Sequence, residues 1–185
     1  MAEKSGVFGK EELVAKFRQL SKASQGEALV TVVKAGGMVV VNAAKDNIKK
    51  QGLIRTRTLS RDIHQEVVES TNDIAAVSIG TILVWAALHE FGGTVQAKTS
   101  KYLAIPVGTY RGSPRKHSDL SVRKTAGGNL VMVDAGGAVQ YVLKTSVEIP
   151  ARPYLRPAAD EHHQDIQSQM TKAFVIQIEE AAGKG

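Results

Sequence analysis

The side chains that could act as ligands, acids or bases are few and badly spaced for it. The chain has five histidines, His64, His89, His117, His162 and His163, and no cysteine. No pair makes the HExxH spacing or another zinc pattern. His162 and His163 are adjacent, so on a helix they diverge by about 100° and cannot share an ion. Asp160 and His163 stand three apart and could offer two ligands. The plainer reading is an acidic first helical turn with exposed histidines. His89-Glu90 would be an acid–base pair only if adjacent helical residues faced each other, which they do not. No nucleophile elbow, phosphate-binding loop or dinucleotide fingerprint is present. The expectation is a protein without catalytic residues, cofactor or metal.

Charge offers a different chemistry. The formal net charge is +6 and the pI about 9.5. A basic stretch, residues 108–128, carries Arg111, Arg115, Lys116, Arg123 and Lys124 against a single Asp119. It could neutralise phosphates and make binding steeply salt-dependent. Tyr110 is its only aromatic, which gives little support for base stacking. A solvated flexible loop and a DNA-facing loop both fit. A third feature is "VEIPARPYLRPAAD", Val147 to Asp160, which holds three of the five prolines and Arg152 and Arg156. It contains PxxP, but it lies between apolar segments rather than in a tail, so a polyproline ligand is not favoured.

The elements that must position these residues follow from periodicity. The size, 185 residues, suits one domain. A tail of about residues 1–9 precedes an amphipathic helix, Lys10 to Ser24, with Leu13, Val14, Phe17 and Leu20 on one face. "VTVVKAGGMVVV" allows a hairpin turning at Gly36-Gly37, or part of one helix from Glu27 to Gln51 that ends at Gly52. The helix is preferred, with the glycines admitting a neighbouring backbone. Its apolar part, Ala28 to Ala44, is shorter than the roughly 20 residues of a membrane span. Lys34 and Asn42 interrupt it, and no signal peptide precedes it, so a soluble protein is expected. "DIHQEVVES" and "DIAAVSIG" read as an antiparallel pair. "TILVWAALHEF" reads as a short helix ended by Gly92-Gly93, and Tyr102 to Val107 as a strand. "NLVMVDAGGAVQYVLKTSVEI" reads as a long hairpin turning at Asp134 to Gly137. A C-terminal helix over about 157–182 closes the chain, with Ile166, Met170, Phe174 and Ile178 four apart. The fold class is α+β: an antiparallel sheet against a long helix and a C-terminal helix, with a short helix between strands.

Three stretches carry a resemblance. "AALHEFGGTV" followed later by "VEIPARPYLRPAAD" resembles the tail-completion, or virion morphogenesis, proteins of tailed bacteriophages. The matching residues are Glu90-Phe91-Gly92-Gly93 and Ile149 to Ala158, with Tyr154 where phenylalanine is common. "TRTLSRDI" matches more weakly through Thr56, Leu59 and Ile63. Arg57 replaces a glycine there and Asp62 a serine. The resemblance implies a non-enzymatic virion protein of the neck or the head-proximal tail, assembled in the bacterial cytoplasm. It implies a ring, sixfold in such proteins, whose partners are copies of itself and adjacent neck or tail proteins. DNA passing through the ring would give the basic charge a second meaning.

On that reading the prolines stiffen a docking segment: Pro150 and Pro153 hold it extended and Pro157 starts the last helix. Tyr154 and Leu155 are expected as apolar anchors, and Phe91 as a core or seam residue. Arg152 and Arg156 are expected to reach carboxylates, Glu90 among them. Gly92 and Gly93 should turn with positive φ. Loops Thr94 to Ser100 and Gly108 to Gly128 should supply contacts between subunits. The alternative is a sequence-independent nucleic-acid-binding protein using residues 108–128.

Overall fold

The computed structural model describes residues 25–183, together with Arg18 and Ser21. The expected tail at 1–9 and most of the expected helix Lys10 to Ser24 lie outside the described residues. The chain makes two compact units where composition suggests one domain. The first runs to Glu90 and resumes at Arg152, and the second is Phe91–Ala151.

The first unit is organised by α1, Glu27–Lys50, a single 24-residue helix. Gly36 and Gly37 do not turn the chain. They are buried on the helix and let neighbours come close. A Cβ at Gly36 would lie 2.7 Å from Met170 Cγ and 3.2 Å from Ile166 Cγ2. One at Gly37 would run into the Gln65 carbonyl oxygen and sit 3.2 Å from Val77 Cγ2. One glycine thus admits the C-terminal helix and the next admits the β1–β2 pair. The cost of two helical glycines, about 1 kcal/mol each, is offset by this packing on two sides. α1 stops in a Schellman arrangement: Gly52 (φ 67°) donates to Lys49 O and Leu53 donates to Ile48 O. As formed, α1 is long and apolar enough to cross a membrane by length and composition, unlike the shorter stretch expected. Its apolar residues are instead those packed against β1, β2, α4 and α5.

After α1 come α2 (Thr58–Asp62), β1 (His64–Ser70) and β2 (Ala75–Gly80). β1 and β2 pair antiparallel, as their composition suggests, with the Thr71 hydroxyl accepting from Asp73 and Ile74 N–H in the turn. α3 is only Ala86–Phe91. The expected helical residues 81–85 form a turn, because the Asp62 carboxylate accepts from the Thr81 hydroxyl and from Ile82 N–H (2.9 Å). The C-terminal segment is two helices and not one: α4, Leu155–Asp160, and α5, His163–Ala181. Pro157 is therefore the third residue of α4 rather than the first. It still falls in the first turn, where its missing N–H costs nothing. The core gathers Val40, Val41, Ala44 and Ile48 of α1 with Leu59, Ile63, Ala86, Tyr154 and Ala158.

The second unit is all strand and turn: β3 (Gly93–Gln96), β4 (Leu103–Pro106), β5 (Ser121–Lys124), β6 (Leu130–Val133), β7 (Val139–Lys144) and β8 (Ser146–Ile149). β4, β7, β6 and β5 form an antiparallel sheet in that order, and β3 pairs with β8. The hairpin turning at Asp134 to Gly137 forms between β6 and β7. Its last residues do not stay with it: β8 leaves to pair with β3. Thr94–Gln96 is therefore strand and not loop. Likewise the basic stretch is not one loop, since Pro114–Lys116 makes a 3₁₀ turn and Ser121–Lys124 an edge strand.

Candidate functional site

The two motif stretches meet in the first unit, through their backbones. Glu90 is buried (7% exposed) on α3. One carboxylate oxygen accepts from Tyr154 N–H (2.8 Å) and Leu155 N–H (2.9 Å), the other from Arg156 N–H (2.9 Å). These are first-turn amides of α4, which have no intrahelical partner. A carboxylate there satisfies three donors and the positive end of the helix together. The expected partners of Glu90 were the guanidinium groups of Arg152 and Arg156. What its carboxylate meets is peptide N–H, including that of Arg156.

The same segment is held from its other side. Asn47 Nδ2 donates to Tyr154 O (3.1 Å), and Gln51 Nε2 to Pro153 O (2.6 Å). Arg152 N–H donates to His89 O at 2.7 Å. Pro150, Pro153 and Pro157 need no donor partner, so the polar groups of this stretch are almost fully matched. The Tyr154 ring enters the core at 2% exposure, and Leu155 packs beside it. Burial, and then the Glu90 charge, push the Tyr154 phenol up. Asn47 and Gln51 were not foreseen. The signal was there: two amides four apart, on one face of the predicted helix.

Other motif residues turn outward or serve a corner. Phe91 is 67% exposed, so it is not a core residue. Pro150, Arg152 and Pro153 are exposed as well. Gly92 has φ 71° and Gly93 φ 146°, the positive values expected of them. Leu59 and Ile63 are core residues. Arg57 is the single described non-glycine residue with positive φ, at 59°. It keeps a glycine's backbone conformation where similar proteins carry glycine. A side chain in that region costs about 1–2 kcal/mol, partly offset by glycine's extra freedom when unfolded. Arg57→Gly should therefore stabilise the protein by up to about 1 kcal/mol, read as a higher urea midpoint at constant m-value.

The turn pinned by Asp62 exposes apolar side chains: Ile82 at 80%, Val84 at 93% and Trp85 at 43%. Trp85 makes an edge contact with His89 (5.7 Å) and lines a shallow cavity of about 380 Å³ with Leu53, Thr56 and Leu59. These residues were read as one face of a helix and were missed as a surface.

In the second unit the basic stretch is anchored. Gln140 is buried at 4% exposure. Its Oε1 accepts from Thr109 N–H and Oγ1 and from Tyr110 N–H, and its Nε2 donates to Asp134. The Asp134 carboxyl is held below its ordinary range by that bond and by Ala138 N–H. The Tyr110 ring stacks on His117 at 4.2 Å, and its hydroxyl donates to Asp119, which pushes the phenol up to about 12. Arg111 donates to the Gly108 and Tyr110 carbonyls. Arg115 and Lys116 stand on the 3₁₀ turn, and Arg123 and Lys124 on β5, so the flexible-loop reading does not hold for this stretch.

Among the described residues no three His, Asp or Glu side chains converge as a metal group would need. His162 Nδ1 pairs with Asp165 (2.9 Å), one step along from the Asp160/His163 pair considered above. Among curated proteins and solved structures, none matches this chain. Residues 2–147, well over half of the sequence, match the profile described as Family of unknown function (DUF6441), and the chain belongs to that family.

Proposed function

We propose that this protein is a structural virion subunit of the tail-completion or head–tail joining type, working as one copy in a ring, sixfold by resemblance, through contact and without catalysis. The observation that carries the reading is the exposed apolar turn Ile82–Trp85, held rigid by Asp62. A contiguous apolar surface on an ordered turn is what a protein contact requires. Order before binding also lowers the entropy lost on docking. The Glu90 lock supports it too, since a ring closes only if each subunit presents its surfaces at fixed angles. Arg57, in a glycine's conformation at a position where the resembling proteins have glycine, supports the resemblance.

The test is Ile82→Asp with Val84→Asp in a phage carrying this gene, with an unchanged circular dichroism spectrum as the folding control. Two central contact residues at about 2 kcal/mol each should weaken subunit association by at least ~100-fold. Filled heads and unattached tails are expected by electron microscopy. Infectious particles from a strain lacking the gene would overturn the reading.

A further inference from the structure

The chain's charge is unevenly divided. Residues 91–151 hold eight Lys and Arg against three Asp and Glu, so this unit carries +5 of the total +6. Two of its three acids are occupied by neutral groups: Asp119 by the Tyr110 hydroxyl, and Asp134 by Gln140 and the β6–β7 turn. Among the described residues the ion pair is His162–Asp165, in the other unit. Lys101, Arg115, Lys116 and Lys124 are therefore not neutralised by carboxylates.

Strand register brings several of these together. Lys124 pairs with Leu130, Leu130 with Leu143, and Leu143 with Ala104, so all four share one face of the sheet. On that face Met132, Leu143 and Ala104 floor an open groove of about 580 Å³. Lys101, Tyr102, Ser113 and Arg115 stand along its walls. Lys116 adjoins Arg115 on the 3₁₀ turn, whose first residues are fixed by the Ser113 hydroxyl accepting from Arg115 N–H.

We propose that this groove binds the phosphodiester backbone of nucleic acid without regard to sequence. The cations meet phosphates, and the apolar floor and Tyr102 meet sugar and base. The proposal stands on the charge and register of this unit alone and does not depend on the virion reading. Four phosphate contacts predict a linear fall of log Kobs with log[salt], with a slope of about −3.6 for a duplex and about −2.8 for a single strand.

The experiment uses the full chain and fluorescein-labelled 20-mers, duplex and single-stranded, in anisotropy titrations from 50 to 200 mM NaCl. Two unrelated sequences should bind alike, and whichever of the two slopes is found identifies the strand form recognised. Lys101→Gln/Arg115→Gln/Lys124→Gln should weaken binding at least tenfold and bring the slope near −1. Lys45→Gln/Lys49→Gln, in the other unit, should change neither. Equal affinity for polyglutamate or for vesicles of phosphatidylglycerol and phosphatidylcholine would overturn the proposal. So would absence of binding at 50 mM salt, or a triple variant that binds like the wild type.

Discussion

Glu90→Ala should lower the melting temperature by roughly 8–16 °C. The carboxylate accepts three peptide N–H groups, and removing it leaves all three without their acceptor. An orphaned buried donor costs about 1–3 kcal/mol, and more where the lost acceptor was charged. Tyr154 is fully enclosed while Arg156 is open to water, so about 4 kcal/mol is a fair sum. For a chain of this length each kcal/mol moves the midpoint by about 2–4 °C. Glu90→Gln keeps one acceptor oxygen but turns an NH₂ toward donors, so it should fall about halfway. Hydrogen exchange should speed up first at the amides of residues 154–156. Arg152→Ala should change stability by less than about 0.5 kcal/mol, because its guanidinium is solvent-exposed. A Glu90→Ala variant within 1 kcal/mol of wild type would mean that water replaces the carboxylate, and the lock would have to be abandoned.

Gly92→Val should cost about 4 kcal/mol, for two reasons that can be separated. At φ 71° a β-branched residue is strained by about 1–3 kcal/mol. Its Cβ would also lie 2.8 Å from Ala151 N and 3.0 Å from Ile149 O. Both are backbone atoms of the chain leaving β8, so neither can swing aside, and overpacking adds about 1–3 kcal/mol. Gly128 is the control. It has φ 81° with nothing within 4 Å of a Cβ, so Gly128→Ala should show the conformational cost alone, about 1–2 kcal/mol. Denaturant midpoints give the totals, and exchange at residues 93–96 and 146–149 reports whether β3–β8 pairing has opened. Equal costs at the two glycines would remove the close-approach argument.

Local pattern was enough for the helices and for the fold class. The α1 reading survived a valine-rich stretch with high strand propensity, because the flanking residues and Gly52 agreed on a helix and packing partners existed for both glycines. Pairing of the two late motifs was also legible, since an acid and a proline-rich segment with unpaired amides are complementary. The chemistry of that pairing was not. Sequence displays the arginines but hides peptide N–H groups, and the amides were the better-placed donors. Phe91 was misjudged because hydrophobicity reports a tendency to be covered, not what covers it. The strand exchange of β8 escaped notice for a similar reason: a two-residue break at Thr145-Ser146 looks like continuous strand until β3 competes for it. Gln140 was invisible because a buried amide in an alternating strand has no periodic signature; only the turn it organises reveals its purpose.

The hydrogen bond from Arg152 N–H to His89 O means that the chain departs for the β-rich module and returns from it at nearly the same point. The scaffold's loop is thus sealed at its neck by the scaffold's own contacts, and the ordering entropy of that closure depends only weakly on how many residues lie beyond it. Sixty-one residues, or many fewer, could hang from this neck at similar thermodynamic cost. Such an arrangement leaves the excursion free to lengthen, shrink or be exchanged among related chains, while the helical scaffold stays under tight constraint.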